Sequence, residues 1–484
     1  MHDVIVVGGG PNGLMLACEL SLAGVRPLVL EALPEPSQEP KANGMMGQIV
    51  RVLDHRGLYE RFTGDTEPPQ PNSGYFVYAS MPMNLSLLDN SPIYALPVPQ
   101  KRIVEVLTER AEELGVEIRR GHSLVDLTQD DNKVTLDVDG PEGRYQLETR
   151  YLVGADGAHS VTRKLSGIGF PGVMYDRTTS RFAHVEIDES LKDPATGGLN
   201  IPGHGPLFPF VGLRTENGGF SYAPLPGLPP ILTTVEWDQP PTDEPMTIDE
   251  LRASVKRVLG VEIPFEKAGT LLRRMRGGHI RLAERYRDRR VFLIGDAVHI
   301  FANGGSGLNL GMQDATNLAW KLASTLNGKD LLDTYESERR PAAQRMVTHS
   351  QSAAALLAPG NDVTALREMF TELLNKREMV QHMADWAAGT DIRYEEGPHP
   401  LVGGFVPELE LEPHGRLAEL TRTARPLLVD LTGTLATDKV DVITAKADTD
   451  ITAMLVRPDG YVAWASSDPD PDAEELAEAL NRWF

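Results

Sequence analysis

Apolar runs and glycine clusters follow one another at the start of the chain in an informative order. Val4 to Val7 is an uninterrupted apolar run, and GGGPNG follows from Gly8 to Gly13. LMLACELSLAG then carries apolar residues at helical spacing up to Gly24, and VRPLVLEA returns to a short apolar run ending at Glu31. Short apolar runs bounded by turn residues read as strands, and the longer periodic segment reads as a helix. The pattern predicts strand, glycine turn, helix, strand.

Further along, PEPSQEPKANG reads as a proline-rich loop, Gln48 to His55 as a helix, and KRIVEVLTERAEELG as a helix closed by Gly115. VEIRRG, HSLVDLTQDDNKVTLDVDG and GRYQLETRYLVGADG alternate in the manner of short strands, which predicts a hairpin-rich module on the first domain. From residue 171 to about 275 the chain is strand-rich, with prolines and glycines at intervals and MTIDELRASVKRVLG as its clear helix. That shift marks a mainly β domain inserted within the first. A strand returns at Arg290 to Ile294, helices dominate from Met312 to about Trp386, and EEGPHPLVGG reads as a linker. Beyond it RPLLVDLTG, KVDVITAKA, DITAMLVRPDG and YVAWAS read as strands and DAEELAEALNRWF as a helix, which together make a compact α/β domain. The expected domains are therefore 1–170 and 276–390 for the split first domain, 171–275 for the insert, and 395–484 for the last.

Composition narrows the function. The 484 residues suffice for two or three domains with cores of their own. With 47 Lys plus Arg against 69 Asp plus Glu, the formal charge is −22, which argues against a duplex-binding surface but leaves room for a local basic pocket. Cys18 is the one cysteine, so an internal disulfide and a cysteine metal cluster are both excluded, and its place in a helix marks it as a small core residue. The N-terminal MHDVIVVGGG lacks the regions of a signal peptide, and no apolar segment reaches the roughly 18 residues of a membrane span. A cytoplasmic protein, binding neither nucleic acid nor membrane, is expected.

The first β-α-β unit carries chemistry. Gly8, Gly10 and Gly13 stand in the spacing that lets backbone approach a pyrophosphate at a helix N-terminus, and Glu31 stands where a carboxylate can accept ribose hydroxyls. A second stretch, YLVGADGAHSVTRKLSG, puts Asp156 and Gly157 directly after an apolar strand, with Arg163 beyond. Asp156 can brace either a cofactor ribose or main-chain amides there. Ser160 is equally placed to contact a ligand or to cap the helix from Val161. In the third, GDAVHIFANGGSGLNLG, Asp296 follows a strand, and Gly304, Gly305 and Gly307 precede a helix starting near Leu308. Those glycines expose N–H groups to an electron-rich ring oxygen or a phosphate. His299 has neither a nucleophile nor a metal-ligand set at a diagnostic spacing, so the stretch reads as a backbone cradle. No metal site and no firm catalytic acid or base emerges.

Together the three motifs resemble those of the class A flavoprotein monooxygenases, the p-hydroxybenzoate hydroxylase-like group. GGGPNG with Glu31, YLVGADGAHS with Arg163, and RVFLIGDAVH before GLNLGMQDATNLAWKL carry the likeness, which is strongest to bacterial aromatic polyketide hydroxylases and rifampicin monooxygenases. The resemblance implies a GR2-type FAD-binding α/β fold, an inserted β substrate domain, and a thioredoxin-like C-terminal domain without a CxxC pair. It implies FAD, with Glu31 on the adenosine ribose, Asp296 near the ribityl-pyrophosphate region and Gln100 near the flavin. Gly304, Gly305, Gly307, Leu308 and Asn309 would lie along the pyrimidine edge. It further implies NADPH or NADH as transient reductant and molecular oxygen activated as a flavin C4a-hydroperoxide. The product would be a hydroxylated aromatic polyketide or similar polycycle, with Baeyer–Villiger insertion as the alternative, and the protein a monomer or homodimer.

Three departures stand out. The loop after His299 is one residue short and lacks the family proline, Lys41 replaces an arginine, and Gln48 replaces an arginine that faces the FAD phosphates in relatives. They keep open a flavin-independent enzyme or a ligand-binding protein on the same scaffold. Phe208, Phe210, Tyr222 and Pro224 fit either the wall of a polycycle pocket or an ordinary core, and Tyr75, Phe76 and Tyr78 share that ambiguity.

Overall fold

Val4, Ile5 and Val6 are fully enclosed because their strand lies in the interior of a parallel sheet. The structure is a computed structural model that describes residues 1–37, 43–225, 227–302 and 307–484. Strand β1 (His2–Val7) pairs in parallel with β2 (Pro27–Glu31) on one side and with the C-terminal half of Gly143–Gly154 on the other. Glu117–Arg120 extends the sheet beyond β2, and Val291–Leu293 extends it beyond Gly143–Gly154, both in parallel. Helix α1 (Pro11–Leu22) joins β1 to β2 and packs on helices Gln100–Glu113 and Gly307–Leu326. Pro11 sits in its first turn, where the missing N–H costs no intrahelical bond.

Cys18 lies inside this layer, 2% exposed, with its sulfur 3.8 Å from the Leu107 carbonyl oxygen. Burial pushes its thiol up to about 12, so almost no thiolate forms at neutral pH. Native protein should therefore resist a thiol reagent such as iodoacetamide, and one equivalent should react once denaturant opens the helix layer. Rapid labelling of the native state would show that this layer opens.

The strands after Gly115 pair as the expected hairpins and also continue into the main sheet. Glu117–Arg120 lies beside β2, and Gly143–Gly154 serves two partners. Its first half forms an antiparallel hairpin with Val134–Gly140, and its second half runs beside β1. The burial pattern shows the reason: exposure alternates near Gly143, but Tyr151 to Gly154 are all buried. A strand covered on both faces has no polar side to alternate with.

The insert has its own antiparallel sheet, in the order Gly212–Thr215, Gly218–Ala223, Ile231–Trp237, Thr178–Ile187, Phe265–Arg276. Helix Ile248–Leu259 covers it and completes a separate core with Val185, Phe220 and Leu232. Near the C-terminus, Asp441–Thr444, Leu427–Asp430, Ala453–Val456 and Val462–Ser466 form a four-stranded sheet, with helix Ala473–Trp483 against it. Trp320 and Leu331, from the helical layer of the first domain, share a core with Leu455, Trp464 and Trp483 of this last unit. No helix among the described residues is long and apolar enough to cross a membrane.

Candidate dinucleotide site

The carboxyl ends of β1 and β2 open onto a cavity of about 450 Å³. Such an edge is where parallel α/β sheets bind ligands. Gly8, Gly10, Glu31, Gln100 and Asp156 all line it. A Cβ on Gly10 would meet nothing within 4 Å among the described residues, so the space beside this glycine belongs to the cavity. Gly13 acts differently. A Cβ there would lie 2.0 Å from the Gly8 carbonyl oxygen, so its task is to let α1 close against the turn. Gly8 has φ +112°, and a Cβ on it would strike the Ala155 carbonyl oxygen at 2.4 Å.

Two features suit a dinucleotide. Gly10 offers no side-chain cap to α1, so the N–H groups of the first turn are left for an anion. Glu31 is held in place by N–H donors from Gly9 at 2.7 Å and Leu33 at 2.8 Å, one to each carboxylate oxygen. Each oxygen keeps a second acceptor site for a hydroxyl. Lys101, Arg120 and His122, which belong to none of the three motifs, also line the cavity. Arg120 reaches it because it stands opposite Glu31 in the parallel pairing of its strand with β2. Lys101 and Arg120 put local positive charge into a chain of formal charge −22.

Asp156 lines the cavity while its carboxylate anchors the helix that follows. Oδ1 accepts from Ser160 Oγ at 2.5 Å, and Oδ2 accepts from the Thr162 N–H at 2.9 Å and its hydroxyl at 3.0 Å. Ser160 in turn accepts from the Arg163 N–H at 2.9 Å, so it caps helix Val161–Leu165. Arg163 is turned inward over the Phe170 ring at 3.9 Å and donates to the Ala297 carbonyl at 2.7 Å. Burial lowers its pKa, and its contact with Ala297 joins the second motif to the third.

The first and third motifs meet at Asn12. A Cβ on Gly295 would lie 2.0 Å from Asn12 Nδ2, and one on Gly311 would lie 2.4 Å from the same atom and 2.7 Å from Gly295 Cα. Gly295 also has φ +61°, which starts the short turn Gly295–Ala297. Asp296 in that turn is exposed, and its Oδ1 would lie 3.5 Å from a Cβ on Gly307. His299 is fully buried, stacks on Phe301, and shares a hydrogen with Asp314 Oδ2 through Nε2 at 2.8 Å. Burial would raise the Asp314 carboxyl, but the charges of Arg339 and His299 outweigh it and hold the group below the usual range.

Gly307, Leu308 and Asn309 form the first turn of helix Gly307–Leu326; Asn309 is 7% exposed, and its Oδ1 has no partner among the described residues. Lys41, Gly304 and Gly305 lie outside the described residues. Gln48 is 1% exposed and does not line the cavity; its Nε2 is unpartnered among the described residues. In the insert, Phe208 and Phe210 are 46% and 51% exposed on one loop, which Tyr75 braces by donating to the Pro209 carbonyl at 2.8 Å. Pro224 is half-buried, whereas Tyr222 packs into the core of the inserted sheet and Tyr78 packs against His349. No group of three or more His, Cys, Asp or Glu among the described residues is placed to hold a metal ion.

Known proteins resemble this chain along its whole length. Residues 1–350 match the FAD binding domain family, and residues 399–484 match the C-terminal region of aromatic-ring hydroxylases. The chain is 40% identical to the 12-dehydrotetracycline 5-monooxygenase/anhydrotetracycline 6-monooxygenase of Streptomyces rimosus, across 100% of this chain and 99% of that protein. It is 37% identical to a rifampicin monooxygenase of Streptomyces venezuelae, again across 100% and 99%. The solved structure of OxyS, an anhydrotetracycline hydroxylase from Streptomyces rimosus, aligns with a TM-score of 0.86 at 39% identity, covering 100% of this chain and 99% of that one.

Proposed function

The chain belongs to the FAD binding domain family, as a class A flavin monooxygenase, and from that premise we propose that it hydroxylates an aromatic polyketide or similar polycycle, using NAD(P)H and molecular oxygen. The observation that carries the cofactor assignment is the Gly10 face. Open space beside that glycine, the uncapped first turn of α1, and Glu31 fixed by two amides form a cradle that fits adenosine diphosphate. Bound FAD supplies the redox and oxygen chemistry; the protein supplies binding, orientation and exclusion of water.

In this reading, the α1 N-terminus and Lys101 or Arg120 face the phosphates, and Glu31 takes the ribose. Gly307, Leu308 and Asn309 stand at the ring end, and Asp296 stands between the two ends. Phe208, Phe210 and Pro224 of the inserted domain supply apolar surface toward a broad substrate. We place the protein in the cytoplasm as a monomer or homodimer, with neither nucleic acid nor membrane as partner.

Hydroxylation and Baeyer–Villiger insertion differ in substrate pose, so product mass analysis separates them. Incubation with tetracyclic aromatic substrates, NADPH and isotopically labelled oxygen should yield a product carrying one labelled atom as a new hydroxyl. A labelled, ring-expanded lactone would favour insertion instead. A substrate that binds tightly yet gains no label would overturn both, and would favour a non-oxygenating role for the same scaffold.

A further inference from the structure

The turn between strands Ala453–Val456 and Val462–Ser466 carries Arg457, Asp459 and Tyr461 into the helical layer of the first domain, where all three are buried. Arg457 donates to both oxygens of Glu338, at 2.9 and 2.8 Å, and to Asp459 at 2.6 Å. Glu338 also accepts from Lys321 at 2.6 Å and from Asn317 at 2.7 Å. Tyr461 stacks on Tyr394, with ring centroids 3.9 Å apart.

Next to Glu338 on the same helix stands Arg339, fully enclosed. It donates to the Tyr394 hydroxyl at 2.9 Å, to Asp314 Oδ1 at 2.8 Å and to the Leu310 carbonyl at 3.1 Å. The other Asp314 oxygen holds His299 at 2.8 Å and accepts from the Gly295 N–H at 3.2 Å. Gly295 and His299 lie on one flank of the third motif, and Leu310 lies on the other. One guanidinium–carboxylate pair therefore ties both flanks, and its far side rests on residues set by the C-terminal domain. Core stability alone would be met by apolar side chains of similar volume, since a buried ion pair is a poor source of net stability. Contacts aimed at backbone atoms on two sides of a ligand loop call for placement instead.

We propose that Arg339 is a positioning residue for the flavin ring, and that the C-terminal domain acts on the flavin site through it. Tyr461 and Arg457 set Tyr394 and the Glu338 turn, these set Arg339, and Arg339 sets the Asp314–His299–Gly295 group. This gives work to a domain that lacks a redox cysteine pair. It rests on the flavin reading above.

The test uses full-length apoprotein titrated with FAD, followed by flavin fluorescence and visible absorption, with thermal melting of the same apoproteins. Tyr394→Phe keeps the ring stack and removes only the oxygen that accepts from Arg339. It should weaken FAD binding about tenfold and alter the shape of the flavin absorption band, with little change in melting temperature; that factor is ordinary for coupled sites. Arg457→Met, from the other domain, should act in the same direction. Combining Tyr394→Phe with His299→Gln should cost less than the sum of the two single changes, because both interrupt one chain of contacts. Lowered melting temperatures with wild-type FAD affinity and band shape would overturn the proposal and leave the domain a stabilising role only. Additive effects in the double variant would overturn it as well. Failure of the wild-type protein to bind FAD would instead overturn the flavin reading on which the proposal stands.

Discussion

Gly10→Val should leave the apoprotein folded, with a melting temperature near that of wild type, and should weaken FAD binding by about 100-fold, or roughly 2.7 kcal/mol. The backbone of Gly10 is extended, at φ −78° and ψ −179°, a conformation valine adopts readily. Its side chain would enter the open space beside the turn and occupy the path by which a pyrophosphate approaches the α1 amides. Gly13→Val makes the contrast. Its Cβ would lie 2.0 Å from a backbone oxygen, so the strand–helix turn would have to move, at a cost on the order of 1–3 kcal/mol or more in fold stability. Scanning fluorimetry of the two apoproteins beside FAD titrations separates the outcomes. Wild-type affinity in Gly10→Val would mean that the dinucleotide does not lie against this turn.

Glu338→Gln should destabilise the protein by about 3–5 kcal/mol, because it leaves Lys321 and Arg457 buried beside a neutral amide. Burial pushes the Glu338 carboxyl up, but Arg457 and Lys321 outweigh it and hold the group at about 2, against an ordinary value of 4.5. Below its ordinary pKa the unfolded chain binds this proton more readily than the folded one, so stability rises with pH across that window. The Glu338 contribution is thus present above pH 4.5 and is lost as pH falls toward 2. Urea unfolding between these limits should show wild type losing stability more steeply than Glu338→Gln. Parallel pH profiles would mean that Glu338 is not held charged in the fold.

The first β-α-β unit was legible because everything it needs is local. Apolar runs, glycine spacing and an acidic strand end all fall within residues 4–31, and strand, turn, helix and strand follow in that order, with the helix starting at Pro11 rather than after Gly13. The α/β class and the separate strand-rich insert were legible for the same reason, since periodicity reports which faces of each element are apolar. Periodicity does not report which element lies next to which. Arg120 lines the cavity only because Glu117–Arg120 pairs beside β2 in the register that sets it against Glu31, and an alternating pattern is silent on register between distant strands.

Charged partners were hidden more deeply still. A histidine after a strand invites several roles, and the one that His299 takes depends on Asp314 one helix away and on Arg339 in the helix after that. Asp156 spends its carboxylate on its own following helix, the main-chain role of the two that its motif left open. A side chain's chemistry is written in its residue type, but its partner is chosen by chain crossovers that bring remote segments within about 3 Å, the range over which hydrogen bonds act. Residue type and spacing therefore determined the glycine turn after β1, the helix behind it and the acidic end of β2. Packing alone decided that Asn12 touches Gly295 and Gly311, and that a turn of the last domain reaches helix Asp333–Leu357.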